Sequence, residues 1–353
     1  MFKLFRSKRG FELQFNWLFV LIGGAIILGF FFLVLRNQLD SSDVEDAQAV
    51  QQDIDLIFRG TQGSRSGEKI VPVGGRIDFS CDSGVSQYII RGSQTAFQYN
   101  YLAVFSPPFL DGSELLINTE SFDAPFHVMP FAYVTNRNVQ YIAAGNSPET
   151  VAAFRALPEN STRMYLSGAL QDLPDDHYDM VIFITDPDTF ISQFQPARLS
   201  GFQPSRFGAV RAVVIQPEGG IGNYYGRVYF YNYTDTGFQK SFDSIYFSGA
   251  QSVGAAFSGD GQIYQCQLDK SVRRLGLVAS MHRARVAKLL SYTTLSEECL
   301  FEYGELSGNL DNLADRAKGQ VTLNDLPEIF EAIGSISGVN QALVRATGCP
   351  PIY

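Results

Sequence analysis

Residues 180–185 read Met-Val-Ile-Phe-Ile-Thr, an uncharged run rich in branched apolar side chains. Solid apolar runs separated by helical segments are typical of a parallel sheet that is covered on both faces. Asn146, Ser147 and Pro148 form a helix start signal, which predicts a helix over 148–157. We therefore predict an α/β subdomain over 144–262 around a central, mostly parallel sheet. The other strands predicted for this sheet lie at 141–144, 163–166, 210–216, 224–232 and 244–247.

The chain on either side of this sheet has a different character. Residues 68–143 contain short β-branched and aromatic runs separated by Gly, Pro, Asp and Asn, which predicts a β-rich subdomain. Residues 263–353 are predicted to form a helical segment packed on the rest of the domain. Its long first helix has an apolar stripe that includes Val272 and Leu275, with arginines elsewhere on the helical wheel. Shorter helices are expected at 308–317, 323–333 and 338–346.

The N-terminal region carries the longest apolar run. Residues 17–35 read WLFVLIGGAIILGFFFLVL without a charge, which predicts one transmembrane helix. A basic tail over 1–16 precedes it, and a stalk helix with a Gly/Ser-rich linker over 36–67 follows it. Cations on the N-terminal side predict a cytoplasmic N-terminus and an extracellular main domain. The predicted fold class is therefore α+β or α/β with one N-terminal transmembrane helix.

Two kinds of processing are alternatives to a plain anchor. Ala47-Gln48-Ala49 fits the small-residue pattern of a signal peptidase site, although it lies well past the apolar run. The sequence Lys8-Arg9-Gly10-Phe11 resembles the processing site of type IV prepilins, with cleavage after Gly10. The resemblance is incomplete, because pilins place Glu at the fifth mature position and begin the apolar run directly after the cut.

Charge excludes one class of partner. Residues 1–36 hold five basic residues and one acidic residue, so 27 − 5 = 22 basic and 36 − 1 = 35 acidic residues remain, a net charge of −13. Such an acidic body repels polyphosphate, and nucleic acid is not an expected partner. The expected partners are the lipid bilayer and another envelope protein.

The four cysteines all follow the apolar run, in a compartment where disulfides persist. Nine residues of extended chain cannot return along a helix from residue 290 to reach Cys266, so a Cys266–Cys299 bond is difficult to close. We favour Cys81–Cys266 and Cys299–Cys349. Cys81–Cys299 with Cys266–Cys349, or four free thiols, are the alternatives.

Candidate sites are few. Asp186 and Asp188 follow the central apolar strand at the end where α/β sheets bind ligands, and they are weak candidates for a divalent metal site. Asn146 and Glu218 would lie at similar strand ends, although Asp-Pro-Asp is also ordinary turn chemistry. The chain has no GxGxxG, P-loop or GxSxG motif, so we predict no catalytic residue and no cofactor.

Two N-glycosylation sequons lie in the part of the chain that is predicted to be extracellular. Asn160-Ser-Thr162 and Asn232-Tyr-Thr234 match the N-glycosylation pattern. Asn160 lies in a predicted loop and is the better candidate, since Asn232 is predicted in a strand.

Four stretches carry a resemblance to a known group: residues 11–32, IDFSCDSG at 77–84, YQC at 264–266 and CPPIY at 349–353. They resemble uncharacterised single-span archaeal membrane proteins with an external, cysteine-containing α/β domain. The resemblance implies a topology and a compartment but no activity.

These observations rank three functions. The first is a membrane-anchored cell-surface protein with a non-enzymatic binding or structural ectodomain. The second is a pilin-like or secretion-apparatus subunit that assembles through its N-terminal helix. The third is a tethered enzyme with a site near Asp186.

Overall fold

The computed structural model describes residues 9–60, 66–91, 96–166, 177–194, 207–218, 225–292, 296–319, 321–345 and 349–353. Within the first helix it describes side chains over 18–34 and 48–60. Residues 1–8 of the predicted cytoplasmic tail, 1–16, and the centre of the predicted linker, 61–65, lie outside the described residues.

One uninterrupted helix, α1 (Arg9–Gly60), opens the described chain. Its last turns are fastened into the domain, because Ile54 and Phe58 are fully buried. Its apolar side chains from Leu18 to Val34 are exposed instead. The two parts of α1 therefore have opposite environments.

The predicted fold class needs a correction at this helix. Within the described residues, none of the helices combines the length and the apolar character that crossing a bilayer requires. The transmembrane helix predicted over 17–35 is wrong, and the fold is a mixed α/β structure with several sheets.

Eight strands form the part of the domain that follows α1. They make two four-stranded sheets, with the orders β1-β7-β8-β5 and β4-β3-β2-β6. All pairs are antiparallel except β5 with β8. The strands are β1 (Ser66–Pro72), β2 (Ile77–Asp82), β3 (Val85–Ile90), β4 (Phe97–Tyr99), β5 (Ala103–Phe105), β6 (Phe109–Leu110), β7 (Glu114–Asp123) and β8 (His127–Thr135).

The central sheet has six strands in the order β10-β9-β11-β12-β13-β14. The first four are parallel, and β13 and β14 continue the sheet in antiparallel pairs. The strands are β9 (Val139–Ala144), β10 (Thr162–Tyr165), β11 (Met180–Thr185), β12 (Ala209–Pro217), β13 (Gly226–Thr234) and β14 (Gly237–Tyr246).

The environment of β11 explains why residues 180–185 are apolar throughout. Every residue of β11 is buried. Met180, Ile182 and Ile184 point into the main core, whereas Val181 and Phe183 belong to a second cluster. Because successive side chains of a strand point to opposite faces, a strand covered on both sides must be apolar throughout.

Helices cover the sheets and complete the domain. They are α2 (Pro148–Arg155), α3 (Pro187–Gln193), α4 (Gly249–Ser258), α5 (Gly261–Leu290), α6 (Glu297–Arg316) and α7 (Leu326–Arg345), with a 3₁₀ turn at Leu323–Asp325. One buried cluster runs from Ile54 at the end of α1 to Ile352 near the C-terminus. The sheets and the C-terminal helices therefore share a core.

The three shorter helices predicted in the C-terminal region differ from the structure. The helix expected at 308–317 begins at Glu297, where Ser296 caps it through a 3.3 Å bond from the Cys299 N–H. The helices expected at 323–333 and 338–346 are one helix, α7. Gly334 and Gly338 lie within this helix, and Ile336 between them is fully buried. Its packing outweighs a cost of about 1 kcal/mol for each glycine.

Both disulfides favoured from the sequence are present. Cys81–Cys266 joins β2 to α5, with a Cα–Cα distance of 5.9 Å. Cys299–Cys349 joins α6 to the C-terminal residues, with a Cα–Cα distance of 5.6 Å. Both distances are ordinary for disulfides.

Candidate functional site

A cavity of about 570 Å³ lies between residues 274–285 of α5 and the start of β8. One wall consists of Arg274, Val278, Met281, His282 and Arg285 from α5, and the other of Tyr101 and residues 127–130. We call this cavity the α5 groove. Its volume lies within the range of small-ligand sites, roughly 300–1,000 Å³.

The position of the groove follows from the amphipathic character of α5. Asp260 caps the helix by accepting the N–H groups of Gln262 and Ile263. Leu275, Ala279 and Val286 are fully buried on the inner face. The groove residues lie on the neighbouring stripe, so α5 packs on the core with one face and lines the groove with the next.

The two arginines of the groove are exposed. Over the described residues neither forms an ion pair, and Arg285 makes one long hydrogen bond, 3.4 Å, to the Pro351 carbonyl. Arg283 on the same helix pairs instead with Asp311 at 2.8 Å. Arg274 and Arg285 are therefore cations whose hydrogen-bond donors remain almost unused.

The histidines of the groove are engaged with their surroundings. His127 shares its Nδ1 with Ser121 at 2.7 Å and Asp123 at 3.1 Å. The ring of His282 lies 4.5 Å from that of Phe126. Burial, followed by the charge of Arg285, lowers the pKa of His282. The His282 imidazole is therefore neutral near pH 7, and Arg274 and Arg285 supply positive charge to the groove.

Apolar groups fill the space between the two cations. Met281 is 70% exposed, and Val278 lies one turn before it on α5. Methionine is flexible and polarisable, which suits it to contact ligands of irregular shape. The groove therefore combines two unpaired cations with an apolar middle.

The sequence did not identify this groove. It placed the arginines of α5 away from the apolar stripe. The spacing of Arg274 and Arg285, with Val278 and Met281 between them on one stripe, was the available signal. The opposing wall, from β8 and Tyr101, follows only from the tertiary structure.

Asp186 and Asp188 lie where the sequence placed them, after β11. Asp186 is the N-cap of α3: its Oδ1 accepts the Thr189 N–H at 2.8 Å and its Oδ2 accepts the Thr189 hydroxyl at 3.0 Å. Asp188 lies in the first turn of α3, where a carboxylate stabilises the helix dipole. Over the described residues no three His, Cys, Asp or Glu side chains lie together as a metal-binding group.

The other strand ends named from the sequence are engaged with partners of their own. Gly145, with a φ of +109°, lies against Asp186, and a Cβ there would collide with the Asp186 carboxylate, so glycine is required. Asn146 Oδ1 accepts the Tyr165 hydroxyl at 2.7 Å. Glu218 pairs with Arg227 at 2.8 Å. The polar side chains at these strand ends therefore serve as caps and pairs.

A buried lysine lies at the other end of α5. Lys270 is 6% exposed, and its Nζ donates to the carbonyls of Tyr99 at 3.0 Å and Leu102 at 2.9 Å and to the Ser86 hydroxyl. Ser86 in turn donates to Gln267 Oε1 at 2.8 Å. Burial lowers the pKa of Lys270 to about 7, and the nearby charge of Arg273 lowers it further.

A lysine with a depressed pKa beside a serine resembles a general base beside a nucleophile. Here the three ammonium hydrogens all have acceptors, and the adjoining space is only about 10 Å³, no more than a single water molecule needs. The Lys270 network therefore connects the sheet of β2 and β3 to α5, and it leaves no room for a substrate.

The predicted glycosylation positions are both exposed. Asn160 lies in the loop before β10, and its Nδ2 donates to Glu68 Oε1 at 3.3 Å. Asn232 lies on β13. Their modification stays a prediction.

Comparison of the chain with protein-family models, with curated proteins and with solved structures finds no match. The resemblance to single-span archaeal membrane proteins therefore stays a prediction.

Proposed function

We propose that the protein acts at the cell surface as a non-enzymatic binding or structural protein, attached through the apolar part of α1. The observation that carries this proposal is the contrast within α1. Ile54 and Phe58 are buried in the domain core, whereas the apolar side chains over 18–34 are exposed. Monomeric soluble proteins rarely expose a continuous apolar surface of this size, so this part of α1 needs an apolar partner.

The cysteines support a location outside the cell. All four are paired, and disulfides persist in oxidising compartments while the cytosol reduces them. Attachment through α1 would leave the disulfide-bonded domain facing that compartment. The α5 groove supports a binding role for it.

Cell fractionation of the full chain tests the attachment. Ile27→Asp with Phe31→Asp introduces two charges on one face of the exposed apolar part of α1. Ile191→Asp is the matched control, because Ile191 is 62% exposed on α3. We expect the wild type and the control in the cell-envelope fraction and the double variant outside it. Recovery of the double variant with the envelope would overturn the role of α1.

Intact mass tests the compartment. A protein isolated from cells without reductant should gain two hydrogen atoms per disulfide when it is reduced. Four free thiols in freshly isolated protein would contradict an extracellular domain.

A second candidate function is an assembling subunit of the pilin type. The observation that favours it is the exposure of consecutive residues, such as Phe30, Phe31, Phe32 and Leu33, at more than half of their surface. Consecutive residues on a helix point in different directions, so neighbouring helices would find apolar surface on every side. Loss of residues 1–10 from the mature protein, and its presence in sheared filaments, would support this function over a plain attachment.

A further inference from the structure

Arg274 and Arg285 both line the α5 groove, eleven residues apart on one helix. At 1.5 Å per residue their Cα atoms are separated by about 16 Å along the axis. Over the described residues neither arginine has a carboxylate partner. An arginine fork binds carboxylate or phosphate through two parallel hydrogen bonds, so each end of the groove is suited to one anionic group.

The middle of the groove is suited to an apolar group. Val278 and Met281 lie between the two arginines, and Val128, Met129 and Pro130 face them. Such a surface gains free energy by burying apolar groups and loses it by burying charge. The lining therefore alternates as cation, apolar surface, cation.

We propose that the α5 groove binds an elongated small molecule that carries an anionic group at each end of an apolar body. The ends pair with Arg274 and Arg285, and the body covers Val278 and Met281. This inference rests on the proposed binding role and names its ligand class. It is independent of the attachment through α1, so the fractionation experiment and the binding experiment can fail separately.

The location of the groove indicates a ligand taken from solution. Phe58 at the end of α1 contacts Tyr99 at 5.0 Å between ring centroids, and Tyr99 contacts Tyr101 of the groove at 5.7 Å. The groove therefore lies near the fastened end of α1. Val34, the last residue of the described apolar part, precedes Phe58 by 24 residues, about 36 Å along the helix. A lipid held beside the apolar part would not reach the groove.

Calorimetric titration of the full chain in a non-ionic detergent tests the proposal. The probes are tetradecanedioate, tetradecanoate with one carboxylate, and suberate with a shorter body. We expect tetradecanedioate to bind about tenfold more tightly than either of the others. Equal affinity for tetradecanedioate and tetradecanoate would overturn the two-anion requirement, and equal affinity for suberate would overturn the length.

Variants locate the binding. Arg274→Met and Arg285→Met should each reduce the affinity for tetradecanedioate to that for tetradecanoate. Lys288→Met is the matched control, because Lys288 is an exposed cation on the same helix and does not line the groove. An equal loss in the control would mean a general charge effect and would overturn the site.

A second measurement needs no variant. Phenylglyoxal modifies accessible arginines, and mass spectrometry of peptides reports which ones react. Saturating tetradecanedioate should protect Arg274 and Arg285 and leave the exposed Arg273 reactive. Modification of Arg274 and Arg285 at unchanged rates would overturn the proposal.

Discussion

Lys270 and Arg274 are one turn apart on α5, yet their environments are opposite. Lys270 is buried and donates to three oxygen acceptors. Arg274 is exposed on the groove, and over the described residues it has no ion-pair partner. A buried charge is tolerated only when its hydrogen-bonding capacity is used. The part of α5 through Lys270 therefore stabilises the fold, and the part from Arg274 to Arg285 has donors available for a ligand.

The largest expected effect is on the free energy of unfolding, when the disulfide that joins β2 to the start of α5 is removed. Cys81 and Cys266 are 185 residues apart in the chain, against 50 for Cys299 and Cys349. In the chain-entropy model, removing the first bond costs about 5 kcal/mol and removing the second about 4 kcal/mol. Urea melts of Cys81→Ala/Cys266→Ala and of Cys299→Ala/Cys349→Ala measure both values. A smaller loss for the first pair would show that loop closure does not dominate.

The next prediction compares the contributions of Lys270 and Arg274 to the free energy of unfolding. Lys270→Met removes the donor from three buried oxygens and should lower the free energy of unfolding by about 2–4 kcal/mol. Arg274→Met should change it by no more than about 0.5 kcal/mol, because it removes an exposed side chain. Urea denaturation measures both changes. Equal losses of unfolding free energy for the two variants would contradict the contrast between a structural Lys270 and an unpaired Arg274.

Lys270 also makes stability depend on pH. Its folded pKa is about 7, below the unfolded value, so between these values the unfolded chain binds the extra proton. Stability therefore rises with pH above 7, by at most about 1.4 kcal/mol per unit, and this gain is lost as pH falls towards 7.

The measurement is the free energy of unfolding at several pH values between 7 and 9. Above that range buried tyrosines oppose the rise, since burial raises the pKa of Tyr99 to about 12 and its unfolded form ionises first. Lys270→Met should flatten the curve. Parallel curves for the variant and the wild type would show that Lys270 does not titrate there.

The smallest expected loss of stability concerns Asp186 and Asp188, the carboxylates that follow β11. Asp186→Ala removes the N-cap of α3 and should cost about 1 kcal/mol. Asp188→Ala should cost less, because its carboxylate acts only on the helix dipole. Thermal melts with and without Ca²⁺ provide the check. A rise in melting temperature with Ca²⁺ that both substitutions abolish would establish a metal site, and would revive the enzyme hypothesis.

Much of the central sheet could be predicted because its signals are local. The strand at 180–185 coincides with β11, and the predicted helix start is the one that Ser147 caps, through a 3.1 Å bond from the Thr150 N–H. The sequence analysis divided α7 into two helices, because the burial of Ile336 that favours one continuous helix is a tertiary effect. The transmembrane prediction was read from apolar character alone, whereas none of the described helices combines the length and the apolar character that crossing a bilayer requires.

The sequence by itself determined which segments are apolar, where the helix at Pro148 begins, and which cysteine pairing the chain could not easily close. These features depend on local periodicity and on chain reach. Only the tertiary structure decided what the charges on α5 do. The acceptors of Lys270 lie 168 to 184 residues away in the chain, and the wall opposite Arg274 comes from β8 and Tyr101. Periodicity specifies which face of a helix is buried, but it carries no information on what packs against that face.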